Sequence, residues 1–274
     1  MGISVESFSG TEQKHPIRNR MEFLERPVPG WVAPLGILIL LGAWQGVSMA
    51  GWVSASALPA PSDILRDGWE MVRGGELWPE LYASLVRIVL GFVIGAAAGV
   101  TIGVLLGISR LAEAVGLPVV NSLYPIPKIA ILPLIMLWLG IGEISKVTVI
   151  AVGVAFPMIF NTYSGVRNAD PLLVKAAVSF GAGRGDLIRK VILPGALPTI
   201  VAGLRISVGT SLLLLVAAEM IAAEHGIGAL ILKYSNLMMT TRVMVGVVVL
   251  SILGLLFNRL LSYLEHKWIP WKHA

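Results

Sequence analysis

Long apolar runs separated by short polar stretches set the pattern of this chain. Their lengths predict membrane-spanning helices, each of which needs about 20 mostly apolar residues. Residues 31–50 carry no charge and form the first run, and 88–109 form the second. The third, 114–142, holds a single charge, Lys128, together with Pro118, Pro125, Pro127 and Pro133. The fourth covers 147–166, the fifth 206–223 with Glu219 inside it, and the sixth 243–258, extended to about residue 263. The fold class this predicts is all-α, a polytopic membrane protein with about six transmembrane helices.

Composition agrees with that pattern. Of 274 residues, 56% are hydrophobic and 14% are charged, with a mean hydropathy of +0.82. Soluble domains carry about 25% charged residues, so this chain cannot be solvated as a water-soluble globule. Without cysteine there is no disulfide, thiolate metal site or thiol nucleophile. His15, His225, His266 and His273 are scattered, which argues against a metal centre or a Ser-His-Asp arrangement. The net charge of +5 does not indicate nucleic acid, because the basic residues stand at the ends of apolar runs.

Those basic residues also predict sidedness. With the N-terminus inside, 14 Lys and Arg fall on the cytoplasmic side and six fall outside (Arg66, Arg73, Arg87, Lys146, Lys233 and Arg242), leaving Lys128 unassigned. The positive-inside rule then places both termini in the cytoplasm. The expected organisation is an N-terminal cytoplasmic tail over 1–28, a transmembrane domain over 29–266 and a cytoplasmic C-terminal tail over 267–274. Ala55-Ser56-Ala57 resembles a signal-peptidase site, but the apolar run before it is too long for a signal peptide and reads as a retained anchor.

Two spans carry further signals. Gly91, Gly95, Gly99, Gly103 and Gly107 repeat every four residues, forming one helix stripe that allows close approach of a second helix. The stripe serves either plain packing or a moving interface. The four prolines of 114–142 predict a bent or partly unwound span, and irregular backbone at membrane depth survives only against protein or a water-filled cavity. This span, with Lys128 and Pro133, is the pore-lining candidate.

The segment 170–205 is polar, basic and broken by glycine. Asp170 can cap a helix that begins at Pro171. Leu172, Val174, Ala177 and Val178 then give that helix one apolar face, and Gly181 suits its exit. A second short helix follows, with Leu187, Ile188, Val191 and Ile192 on one side and Arg184, Arg189 and Lys190 on the other; Leu193-Pro194 is expected to stop it. Such a knob is either a wedge for a groove on a soluble partner or an amphipathic loop lying on lipid headgroups.

Other polar groups invite assignment. Glu219 is costly at membrane depth unless paired or wet. It serves gating or helix pairing, or else reaches outer water. Lys128 either faces the pore, as a charge for an oxyanion, or anchors the bend. Glu143 and Lys146, three residues apart, can pair at a helix start and shape an outer loop. Asn161 and Thr162 can hydrogen-bond between helices at the root of the polar loop.

The order of motifs resembles a known family. Ala176-Ala177, Gly181 and Ile192-Leu193-Pro194 read like the "EAA" loop of ABC-importer permeases. LPAPSDIL at 58–65, IPKIAILPLIMLWLGIGEISK at 126–146, FPMIFNTYSGVRN at 156–168 and VAAEMIAAEHGIG at 216–228 look like the nitrate/sulfonate/taurine branch, most like an aliphatic sulfonate permease. The resemblance implies a type I importer fold with a cytoplasmic coupling loop over 167–198 (Asp170, Lys175, Ala176, Ala177, Gly181, Arg184, Leu193 and Pro194). It implies a bacterial inner-membrane homodimer with two ATP-binding subunits and an extracytoplasmic binding protein. Lys175 stands where the family's usual glutamate precedes the Ala-Ala pair, reversing the sign of a docking charge. No G-x-x-x-x-G-K-[ST] loop is present, so the chain is not an enzyme and binds no cofactor of its own; ATP and Mg belong to the partner ATPase. The rivals are a secondary transporter driven by an ion gradient, in which Glu219 relays protons, and an intramembrane hydrolase, which would need paired acids that the spans lack.

Overall fold

A computed structural model describes residues 29–54 and 56–269. The expected tail over 1–28, Ala55 and residues 270–274 lie outside the described residues. All regular structure within them is helical: α1 Val32–Met49, α2 Pro61–Arg73, α3 Leu77–Ile108, α4 Arg110–Leu123, a 3₁₀ turn Lys128–Ile131, α5 Leu132–Leu139, α6 Glu143–Arg167, α7 Pro171–Ser179, α8 Arg184–Leu187, a π turn Ile188–Ile192, α9 Leu193–Ala222, α10 Ile227–Asn236 and α11 Thr240–Trp268.

Among the described residues, four helical stretches are long and apolar enough to cross a membrane: α3, α6, the continuous Arg184–Ala222 stretch that ends in α9, and α11. A fifth span results if α4 and Lys128–Leu139, bent by 88°, are taken together. The first expected span, α1, falls short: its apolar helical stretch is Pro34–Met49. The other spans start earlier than the apolar runs suggested, because helices continue through polar residues that find partners inside the protein.

The centre of the fold is α6, packed between α3 and α9. In lipid, apolar burial adds little between helices, so close approach and polar contacts hold them together. The glycine stripe supplies the approach. A Cβ added at Gly91 would lie 2.6 Å from Ile150, and one at Gly103 would lie 2.6 Å from Thr162; Gly95, Gly99 and Gly107 are tighter still against Ala151, Met158 and Val166. Helix packing is therefore what the stripe does here. Ile88, Val149, Ile150, Val154, Met158, Leu214 and Leu215 fill the core between the three helices. A second cluster, including Ile64, Met71, Leu77, Ile227 and Tyr234, joins α2 to α10 and α11.

The proline-rich span is bent as expected. The break between Leu123 and Lys128 contains Pro125 and Pro127, whereas Pro133 sits in the first turn of α5, where its missing N–H costs nothing. Lys128 Nζ donates to the carbonyls of Leu123, Tyr124 and Ile126 at 2.6–3.0 Å and lies 4.2 Å from the Phe156 ring centroid. It satisfies carbonyls that the end of α4 leaves open, which is the bend-anchoring role.

Two local expectations fail. Leu193-Pro194 does not stop a helix: α8 runs through the π turn into α9. The widened turn lies one residue before Leu193, where the helix must accommodate the absent Pro194 N–H and the ring's clash with the Lys190 carbonyl. Asn161 and Thr162 make no hydrogen bond between helices. Asn161 Nδ2 donates to the Pro157 carbonyl on its own helix, and Thr162, fully buried, has an unpartnered hydroxyl.

Candidate functional site

Two constellations stand at opposite ends of α6 and α9. At one end, the 167–198 loop joins the two helices. Asp170 accepts a hydrogen bond from Leu172 N at 2.8 Å and caps α7, with Pro171 in its first turn. At the exit, Gly181 takes φ +80, a left-handed conformation that side chains disfavour. Gly181 N bonds to the Val178 carbonyl and Ala182 N to the Ala177 carbonyl, at 2.9 and 3.0 Å. That pair of bonds is the Schellman closure, so the turn is rigid.

The face of α7 differs from the expected one. Val174 and Ala177 turn inward, while Leu172, Leu173, Val178 and Phe180 are exposed, Phe180 at 92%. Ala176, Lys175 and Arg184 are exposed beside them. Leu187, Ile188, Val191 and Ile192 face the protein as expected, with Arg189 and Lys190 outward. The loop therefore presents an exposed apolar surface at Leu172, Leu173, Val178 and Phe180, with Lys175 exposed on the same helix. Phe180 was the residue that pattern reading missed, although its position just before a left-handed glycine marks it as the tip.

At the other end, Glu76, the residue that caps α3, and Glu80, Ser84 and Arg87 within α3 follow at spacings of four, four and three, which places them along one face. This face grips the connection between α9 and α10. Glu76 accepts from the Tyr234 hydroxyl and from Lys233 Nζ at 3.2 Å, and Arg242 donates to the Tyr234 oxygen at 2.7 Å. Outside the spans, the Tyr234 hydroxyl and then Lys233 hold the Glu76 carboxyl below its ordinary range, against the opposing effect of burial. Glu80 receives Gly226 N at 2.5 Å and lies 3.2 Å from His225 Nδ1. Gly226 has φ +134, and a Cβ there would collide with the Glu219 carboxylate.

Glu219, fully buried, is enclosed by this ladder. It accepts from Ser84 Oγ at 2.8 Å, Arg87 Nη1 at 2.7 Å and Gly228 N at 2.9 Å. Arg87 also donates to the His225 carbonyl at 2.5 Å and holds Glu143 with two bonds, Nε and Nη2, at 2.5 and 2.8 Å. Lys146 Nζ reaches Glu143 at 2.8 Å. Two cations thus meet two carboxylates, and the cluster is neutral. Every Glu219 oxygen is hydrogen-bonded, which is the condition for keeping an ion pair away from water.

The placement corrects several readings. Glu219 does not reach outer water; of the roles considered, it performs helix pairing. Glu143 and Lys146 pair at the start of α6 as expected, with Lys146 buried and the Glu143 side chain 62% exposed. Arg87, assigned to a loop outside the second span, lies within α3 and ties α3, α6 and α9 together. A charged residue inside a 32-residue apolar helix was the available signal. The remaining candidates, Lys128 and Pro133, lie in the bent segment, away from both constellations.

The comparisons with known proteins agree with the helical arrangement. Residues 99–270 match the family described as binding-protein-dependent transport system inner membrane component. The chain is 39% identical over 92% of its length to the putative aliphatic sulfonates transport permease protein SsuC of Escherichia coli, covering 95% of that protein. It is 34% identical over 86% of its length to the taurine transport system permease protein TauC of the same organism, covering 87% of it. Among solved structures, an inward-facing form of the MetNI methionine ABC transporter superimposes with a TM-score of 0.60 at 24% identity, over 73% of this chain and 96% of that one, and shows the fold. With its bundle of membrane-length helices and these matches along most of its length, the chain belongs to the inner-membrane permease components of binding-protein-dependent ABC transport systems.

Proposed function

We infer that this permease admits a small organic anion, first an aliphatic sulfonate or taurine, delivered by an extracytoplasmic binding protein. The reading of the solute rests on one observation, the identity of 39% and 34% with permeases named for those solutes. Two copies of the chain would form the path, with both termini in the cytoplasm. Two ATPase subunits, carrying ATP and Mg, would seat the 167–198 loops.

The geometry supports a lever. The loop joins α6 and α9 directly, and the turn at the exit of α7 is closed by a pair of hydrogen bonds. At their far ends, α6 and α9 are held to α3 through Arg87. A push on the loop would move the three helices as one body instead of bending them separately. Closure of the ATPase pair would open the path outward, and hydrolysis would reset it.

Reconstitution of the permease with its ATPase and binding protein tests the solute. Alkanesulfonate or taurine should stimulate ATP hydrolysis and drive uptake. Stimulation by nitrate, bicarbonate or a pyrimidine precursor alone would reject the sulfonate reading while keeping the importer. Uptake that follows an ion gradient without any ATPase would reject the coupling.

A further inference from the structure

We propose that the cleft at the root of the 167–198 loop is a binding site for the phosphate headgroup of an anionic phospholipid. The cleft, about 480 Å³, lies between the last residues of α3 and α6 and the two short helices of the loop. Its volume falls in the range of pockets that take small ligands, about 300–1,000 Å³. Arg167 and Arg184 line it, and Val174, Leu187, Ile188 and Ile108 form apolar walls.

Charge complementarity selects the occupant. The Arg184 side chain has no ion-pair or hydrogen-bond partner among the described residues, while neighbouring Lys190 is neutralised by Asp186 at 2.7 Å. Arg167 is shared with Glu113 at 3.3 Å, and its side chain remains 48% exposed. No carboxylate lines the cleft itself, so it presents two guanidinium groups, one of them free and the other shared with Glu113 from outside the lining. Its floor is formed where two membrane-length helices end, at Ile108 and Arg167. Basic pockets between helices at that level hold anionic headgroups. A phosphodiester would bridge the two guanidinium groups while its glycerol and upper acyl carbons meet the apolar wall. Because the cleft includes residues from both α6 and α8, the lipid would brace the lever against the bundle.

The test uses the purified permease–ATPase complex in detergent, with phosphatidylglycerol or phosphatidylcholine of identical acyl chains added, and native mass spectrometry to count retained lipid. Phosphatidylglycerol should be retained in preference to phosphatidylcholine. Arg184→Gln and Arg167→Gln should each reduce retention about fivefold, and the pair should reduce it about 25-fold. Lys190→Gln should leave it unchanged. An unchanged melting temperature in Arg184→Gln separates lost binding from misfolding, and Arg184→Lys should keep most of the retention. Equal retention of both lipids, or full retention in Arg184→Gln, overturns the proposal. So does displacement of the lipid by millimolar inorganic phosphate, which would make the cleft a free-anion site. Retention only when the ATPase is absent would assign the arginines to the subunit interface instead. The readout does not depend on the transported solute or on which side faces the cytoplasm, so its failure is distinguishable from failure of the importer reading.

Discussion

Arg87 Nη1 lies 2.7 Å from Glu219 Oε1 in a contact from which water is excluded, with both side chains at most 4% exposed. The two residues are 132 positions apart and join α3 to α9. Removing one partner from such a pair leaves the other charged and buried, at a cost of about 3–5 kcal/mol.

Arg87→Ala should therefore lower the thermal unfolding temperature of the detergent-purified protein sharply or prevent its accumulation, and Glu219→Ala should lower it less, because Arg87 keeps its two bonds to Glu143. The double variant Arg87→Ala/Glu219→Ala should lose much less than the sum of the single changes, because no unpaired buried charge remains at that contact. Strict additivity in a double-mutant cycle would show that the pair is not coupled.

The glycine stripe makes a steric prediction. Gly95→Leu and Gly99→Leu should destabilise the α3–α6 contact by about 1–3 kcal/mol or more, since both positions face backbone and side chains of α6 with no room for a Cβ. Gly42→Leu in α1, where an added Cβ meets nothing within 4 Å, should unfold at the temperature of the parent protein.

At the loop, Phe180→Ala should weaken association with the ATPase about tenfold or more if the exposed ring fills a pocket on the partner. The expected reading is a faster dissociation rate by surface plasmon resonance, with the melting temperature of the permease alone unchanged. Gly181→Val should act differently. Its left-handed backbone disfavours a β-branched side chain by about 1–2 kcal/mol, so the α7 exit should loosen and coupling fall together with local protection from hydrogen exchange.

Lys175 is exposed and makes no ion pair among the described residues. Lys175→Glu should change the affinity for the cognate ATPase about three- to fivefold, the size of an exposed charge contact, and the change should fade at high salt. Identical affinity and turnover at low salt would show that the side chain faces water in the complex.

The Glu76 contact predicts a pH dependence. Its folded pKa is lowered, first by the Tyr234 hydroxyl and then by Lys233, against an ordinary value of 4.5. The contribution of this carboxylate is therefore complete above 4.5 and disappears as pH falls through the lower folded value. Glu76→Gln should melt below the parent protein at pH 7 and approach it in acid. A difference that stays constant from neutral to acid pH would mean that Tyr234 and Lys233 do not depend on the Glu76 charge.

The all-helical membrane class, the bend at Pro125 and Pro127, the Asp170 cap and the Gly181 exit could be read from the chain alone. Each is decided by residues within a few positions of one another, through apolar run length, missing N–H groups or a left-handed glycine. The motif order was enough to indicate the permease family for the same reason, since it survives as linear pattern. What surrounds Glu219 could not be read that way. Its neutralisation depends on Ser84, Arg87 and Gly228, brought together only when α3, α9 and the turn before α10 pack. The inward face of α7 and the burial of Lys146 were likewise set by the neighbours they meet, as was the continuation of the helix through Pro194 by its π turn. Local chemistry fixes where helices begin and bend; the burial of a charge is a property of every surface that closes over it.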